Sequence, residues 1–179
     1  MKIQLKNVRL SFPRLWKAEA FAGDDGKPAF SAAFLIPEAD PQIKAIETVI
    51  ANVANEKWGA KAAGILKALE VGGKTCFRSG DTKPDTEGYE GHYFVAARAY
   101  TRPLILDRDK SILTEADGRP YGGAYVNASI EIYAQDNTWG KRINASLRGV
   151  QFVRDGEAFA GGAPASPDEF EEVDSDELA

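Results

Sequence analysis

Arg98, Tyr100 and Arg102 follow one another at a spacing of two, so an extended chain places two guanidiniums and a phenol ring on one face. Tyr125 and Tyr133 share a face with Asn127 and Ser129 at the same period. Arg142 and Arg148 take the matching face of the strand that follows, and Trp139 lies in the loop between. Planar rings stack on any base, and guanidiniums neutralise phosphates without reading sequence. These residues are therefore the candidate nucleic-acid-binding set, and their chemistry is contact rather than bond-making. The competing reading is that Tyr and Arg only decorate an exposed sheet face, where both are common.

Other chemistries find fewer residues. Cys76 and His92 are single, whereas a zinc site of Cys/His type needs three or four such ligands. Any Ser-His-Asp or Cys-His arrangement would have to be built on His92. Val71-Gly72-Gly73-Lys74-Thr75 resembles the end of a P-loop, but the required earlier glycine is Ala68 and the segment leaves a helix instead of entering one. Asp81, Asp85, Glu87 and Glu90 crowd one loop, and Asp107 and Asp109 another. Paired carboxylates of this kind could hold a divalent ion for nuclease chemistry, which leaves an enzyme using Asp81, Asp85 or Asp107 as an alternative. A virion or assembly protein whose Tyr-rich face binds protein is a second alternative. No cofactor or metal is expected under the leading reading.

The charge is unevenly placed. The chain has 22 Lys and Arg against 27 Asp and Glu, a net −5. Seven of those acids fall in residues 165–179, which leaves a body of +2. They are Asp168, Glu169, Glu171, Glu172, Asp174, Asp176 and Glu177, interrupted by Phe170, Val173 and Leu178. A mildly basic body with an acidic tail suits a protein that binds a polyanion and carries its own competitor. A solvated tail that only aids solubility is the plainer reading. No run of about 18 apolar residues occurs, and the N-terminus lacks the apolar core of a secretion signal, so no membrane role is expected. The lone cysteine fits a reducing cytoplasm.

The elements that must position these residues are mostly strands. Ile3 and Leu5, then Val8, Leu10 and Phe12, alternate with polar residues, with a phase shift that predicts a bulge near Lys6-Asn7. Gly23-Asp24-Asp25-Gly26 reads as a turn. Residues 30–36 read as a strand covered on both sides. Asp40 and Pro41 open a helix whose face is Ile43, Ile46, Ile50 and Val53, and a shorter helix follows over 60–69, closed by Gly72-Gly73. Residues 74–78 and 92–100 read as strands around the polar loop 80–91. Short apolar pieces follow at 104–106 and 112–113. A hairpin over 125–148 comes last, with Val126, Ala128, Ile130 and Ile132 inward and a bulge at Gly149. Short strands with helices between the second and third fit a small closed barrel. The expected fold is mainly β: an OB-fold-like five-stranded barrel with a helical insertion at about residues 40–70 and a disordered acidic C-terminal tail. Residues 1–158 would form the nucleic-acid-binding domain, and 159–179 a flexible linker and the tail.

At this point the chain resembles the single-stranded DNA-binding proteins of tailed bacteriophages. The resemblance rests on Leu10-Ser11-Phe12-Pro13-Arg14-Leu15-Trp16, the helical insertion after Phe34-Leu35-Ile36-Pro37, Gly122-Gly123-Ala124-Tyr125-Val126, and the strand over 140–153. It implies an OB-fold protein that coats single-stranded DNA, or RNA, in phage replication or recombination, in the cytoplasm of a bacterial host and without catalysis. It also implies that the tail, including Phe170, contacts replication or recombination proteins and competes for the DNA site. Some relatives end the tail on an aromatic residue; here the last residues are Glu177-Leu178-Ala179 and the tail aromatic is internal.

Overall fold

The N-terminal alternation folds as β1 (Lys2–Glu19), a strand long enough to serve two neighbours. In the computed structural model, which describes residues 1–20, 26–159 and 167–173, its first half pairs with β6 (Tyr125–Asn137) and its second half with β2 (Ala29–Pro37). The change of partner follows the expected bulge. The β1–β6 register slips between Leu5 and Val8, and Asn7 sits at φ 51°, a left-handed conformation that Asn tolerates better than most residues. The remaining elements are α1 (Gln42–Trp58), α2 (Ala62–Val71), β3 (Phe77–Ser79), β4 (His92–Ala99), β5 (Leu104–Leu106) and β7 (Gly140–Arg154).

Five of the strands close on themselves in the order β1-β2-β4-β7-β6, with β6 returning to β1. The closing contact is parallel and short, Arg98 opposite Ser146. Closure leaves no open edge within the ring. The two short strands lie outside it, β3 on β4 and β5 on β7. This is the five-stranded barrel expected from sequence, with its helical insertion between the second and third barrel strands. Leu5, Val8, Phe34, Val95, Ile130 and Ile132 are among the fully buried side chains that fill it. Every residue of β2 from Ala29 to Ile36 is buried, as its unbroken apolar run required.

Asp40 Oδ1 accepts the Gln42 N–H at 2.9 Å, satisfying one orphan donor at the start of α1. Ile43, Ile46, Ile50 and Val53 are all buried, and the helix packs on β6 and β1. No helix among the described residues is long and apolar enough to cross a membrane.

Two local expectations change. The strand read over 74–78 lies at Phe77–Ser79, and Thr75 makes only an isolated bridge to Ile143. Cys76 is buried in that stretch, which pushes its thiol up to about 12. The inward alternation of β1 ends at Leu10; Phe12 turns outward and Ser11 takes the buried place. Beyond β7 the chain stays seated through residues 157–159. Arg9 Nη2 donates to the Glu157 carbonyl at 2.6 Å, and the Phe159 N–H donates to the Gly122 carbonyl at 3.0 Å. Gly123 permits this strap, because a Cβ there would come within 2.2 Å of the Glu157 oxygen. The Gly23, Asp24 and Asp25 of the expected turn lie outside the described residues, as do residues 161–164 of the expected link and Asp174, Asp176 and Glu177 of the tail.

Candidate nucleic-acid interface

The hairpin β6–β7 fixes one wall of the site. Its register sets Tyr133 opposite Asn144 and Gln135 opposite Arg142, so these side chains share the outward face. The register slips at the expected position: Ser129 faces Gly149, Ile130 faces Leu147, and Arg148 is the extra residue. The other wall is β4 and the chain after it, brought alongside by the Arg98–Ser146 contact.

Between them runs a groove of about 930 Å³ lined by Arg98, Tyr100, Arg102, Tyr133, Arg142 and Arg148, all in the sequence-derived set. Arg78 lines it as well, giving five arginines and, among the described residues, no carboxylate on the lining. Tyr100 and Tyr133 are 57 % and 44 % exposed, so both rings present a face to solvent. Cations sit against rings here. Lys27 Nζ lies 4.9 Å and Arg98 Cζ 5.7 Å from the Tyr100 centroid, and Arg102 Cζ lies 5.8 Å from that of Phe30. Arg148 is shared with Glu131 at 3.4 Å. Arg78, Arg102 and Arg142 enter no ion pair among the described residues.

Two members of the set lie elsewhere. Trp139 is at the hairpin tip, 88 % exposed, its backbone N–H donating to Asn137 Oδ1 at 2.9 Å. Tyr125 is at the opposite end of β6, half-buried with Arg154 Cζ 3.7 Å and Arg9 Cζ 6.0 Å from its ring. Arg78 was missed because it ends the short strand read over 74–78, too short to show alternation, just before the polar loop read over 80–91. Of the tail set, Asp168, Glu169, Phe170, Glu171 and Glu172 are described and exposed; Phe170 follows a 3₁₀ turn at Pro167–Glu169.

Asp81 and Asp107, two of the three acids of the nuclease alternative, have structural partners. Asp81 Oδ1 accepts the Gly91 N–H at 3.1 Å. Asp107 Oδ2 meets Arg119 Nη2 at 2.6 Å, and that hydrogen bond holds its carboxyl below the usual range. Ser111 does the same for Asp109 through its hydroxyl and its backbone N–H. Among the described residues no three His, Cys, Asp or Glu side chains are grouped to hold a metal ion.

The family model described as Enterobacter phage Enc34, ssDNA-binding protein, matches residues 1–179. Protein p50 of Acyrthosiphon pisum secondary endosymbiont phage 1 is 45 % identical over 176 residues, 97 % of this chain and 94 % of p50. The structure is similar to the single-stranded DNA-binding protein from bacteriophage Enc34 in complex with ssDNA, with a TM-score of 0.75 and 32 % identity over 88 % of this chain and 89 % of that one. It also shares its fold with gp2.5, a single-stranded DNA-binding protein of bacteriophage T7, at a TM-score of 0.59 and 14 % identity over 96 % of this chain and 98 % of the other.

Proposed function

We propose a function for a chain that belongs to the single-stranded DNA-binding protein family of Enterobacter phage Enc34: it coats single-stranded DNA, with little regard for base order, during phage replication or recombination. The observation that carries this reading is the groove between β4 and the β6–β7 hairpin, where five arginines and two exposed tyrosine rings meet and no acid among the described residues lines the groove. Guanidiniums take the phosphates and the rings take the bases. The protein works by holding its strand and catalyses nothing, in the cytoplasm of the phage's host. The test is an anisotropy titration of mixed-sequence single strands against duplex of the same length. Single strands should bind more tightly whatever their base order. Equal affinity for duplex, or no binding at low salt, would overturn the reading.

The acidic tail acts on the same groove. Tethering keeps its carboxylates at high effective concentration, where they compete with phosphate for the arginines. Deleting residues 165–179 should strengthen single-strand binding several-fold at low salt. The gain should vanish as salt rises toward about 1 M, where screening shortens the reach of charge to about 3 Å. Unchanged affinity at low salt would remove the competitor role. The same tail is the proposed contact for replication or recombination proteins.

A further inference from the structure

Phe12 is held where a bulky side chain seldom stays. Its φ is 45°, in the left-handed region, and it is 63 % exposed. Burial therefore does not explain the conformation. Its neighbour Ser11 is buried in its stead, accepting a hydrogen bond from Tyr89 Oη at 3.1 Å. The ring touches Tyr89 at 6.3 Å between centroids, yet most of it stays in solvent, and backbone strain retained for so exposed a ring points to a use for its open face.

That ring stands over a second groove, about 340 Å³, on the outer face of β2 and β4. Phe12, Tyr89 and Phe94 supply its rings, and Arg78, Lys83 and Arg98 are among its cations. Arg78 Cζ lies 4.9 Å and Lys83 Nζ 5.2 Å from the Phe94 centroid. Neither cation enters an ion pair among the described residues. This groove shares Arg78, Ala96 and Arg98 with the larger one, so the two are continuous. On the far side of Phe12 the lining changes character, with Asp85, Glu87 and Glu115 around a separate cavity. Phosphate is attracted on one side of the ring and repelled on the other.

We propose that the second groove continues the single-strand path beyond the main one. Phe12 is its end platform, on which the outermost base stacks, and Arg78 and Lys83 neutralise the phosphates that lead there. The inference rests on the main groove being the DNA interface. The acidic cavity behind Phe12 marks where the path stops.

The experiment compares Phe12→Gly, Lys83→Ala and Arg142→Ala with the parent in the full-length protein, by anisotropy, on oligonucleotides of about 4 and about 16 nucleotides, which span the range of OB-fold site sizes. Phe12→Gly should weaken the longer strand about 5-fold to 150-fold, one lost base stack, and leave the shorter one bound as before. It should melt at or above the parent temperature, because glycine takes a positive φ without penalty. Lys83→Ala should lower the salt slope for the longer strand by about 0.7, which a purely structural lysine would not do. If Phe12→Gly binds both lengths like the parent while Arg142→Ala weakens both, the extension is wrong and the main groove stands. Early melting of Phe12→Gly makes Phe12 a structural residue and overturns the proposal. A parent that binds neither length overturns the reading beneath it as well.

Discussion

Shortening Ile130 to Ala is expected to cost about 2–5 kcal/mol of folding free energy, whereas shortening Tyr133 to Ala should leave stability nearly unchanged and cost about 1–3 kcal/mol of single-strand binding. Three positions apart on β6, the two side chains point to opposite faces. Ile130 is fully buried and sits opposite Leu147, so its loss leaves a cavity inside a closed ring of strands that cannot collapse easily. Tyr133 lies on the groove with its ring half in solvent. Trp139→Ala at the hairpin tip should behave like Tyr133→Ala if the tip folds over the strand. In the parent, the emission of Trp139 should then be quenched by DNA against the background of Trp16 and Trp58. Thermal melting and affinity, measured for each variant, separate the roles. Should the Tyr133 and Trp139 variants melt early yet bind normally once folded, those rings are structural, and the binding face lies with Arg98 and Tyr100.

The barrel was legible because its strands carry either an alternating signal or, in β2, an unbroken apolar run, and burial follows each. Val126, Ala128, Ile130 and Ile132 alternate without a break and are all buried. The Leu5-to-Val8 phase shift and Gly149 mark two of the register slips in the sequence, while those between Ser11 and Glu19 and at Tyr125–Val126 carry no such signal. What sequence could not show is which outward faces meet. Arg98 and Arg142 come together only through the short parallel contact that closes the ring, between strands more than forty residues apart. Tyr125 and Tyr133 carry the same alternation signal, yet the length of β6 sends them to opposite ends of the barrel, one beside Arg154 and the other onto the groove. Phe12 misled for another reason. Alternation assigns it inward after Leu10, and only a backbone turned to positive φ sends it out. A departure of that kind leaves no trace in residue type. Arg78 and Lys83 were missed because their stretch has too few residues in regular structure to carry a period.

Removing Arg102 and Arg142 together should lower the slope of log affinity against log salt by about 1.4, since each phosphate contact with a single strand contributes about 0.7. Carried from about 1 M salt down to about 0.05 M, that change weakens binding on the order of 60-fold, while near 1 M the variant and the parent should converge. These two arginines suit the test because neither is in an ion pair among the described residues, whereas Arg148 is already shared with Glu131. Both are exposed, so their loss should leave the melting temperature close to that of the parent. Arg102 extends from the segment after β4, and Arg142 faces Gln135 across the hairpin, so the pair reports on both walls of the groove at once. A strand lying between those walls must lose both contacts. A variant that kept the parent's slope would show that the phosphates run elsewhere on the barrel. A variant that lost only half the change would mean that the strand follows one wall.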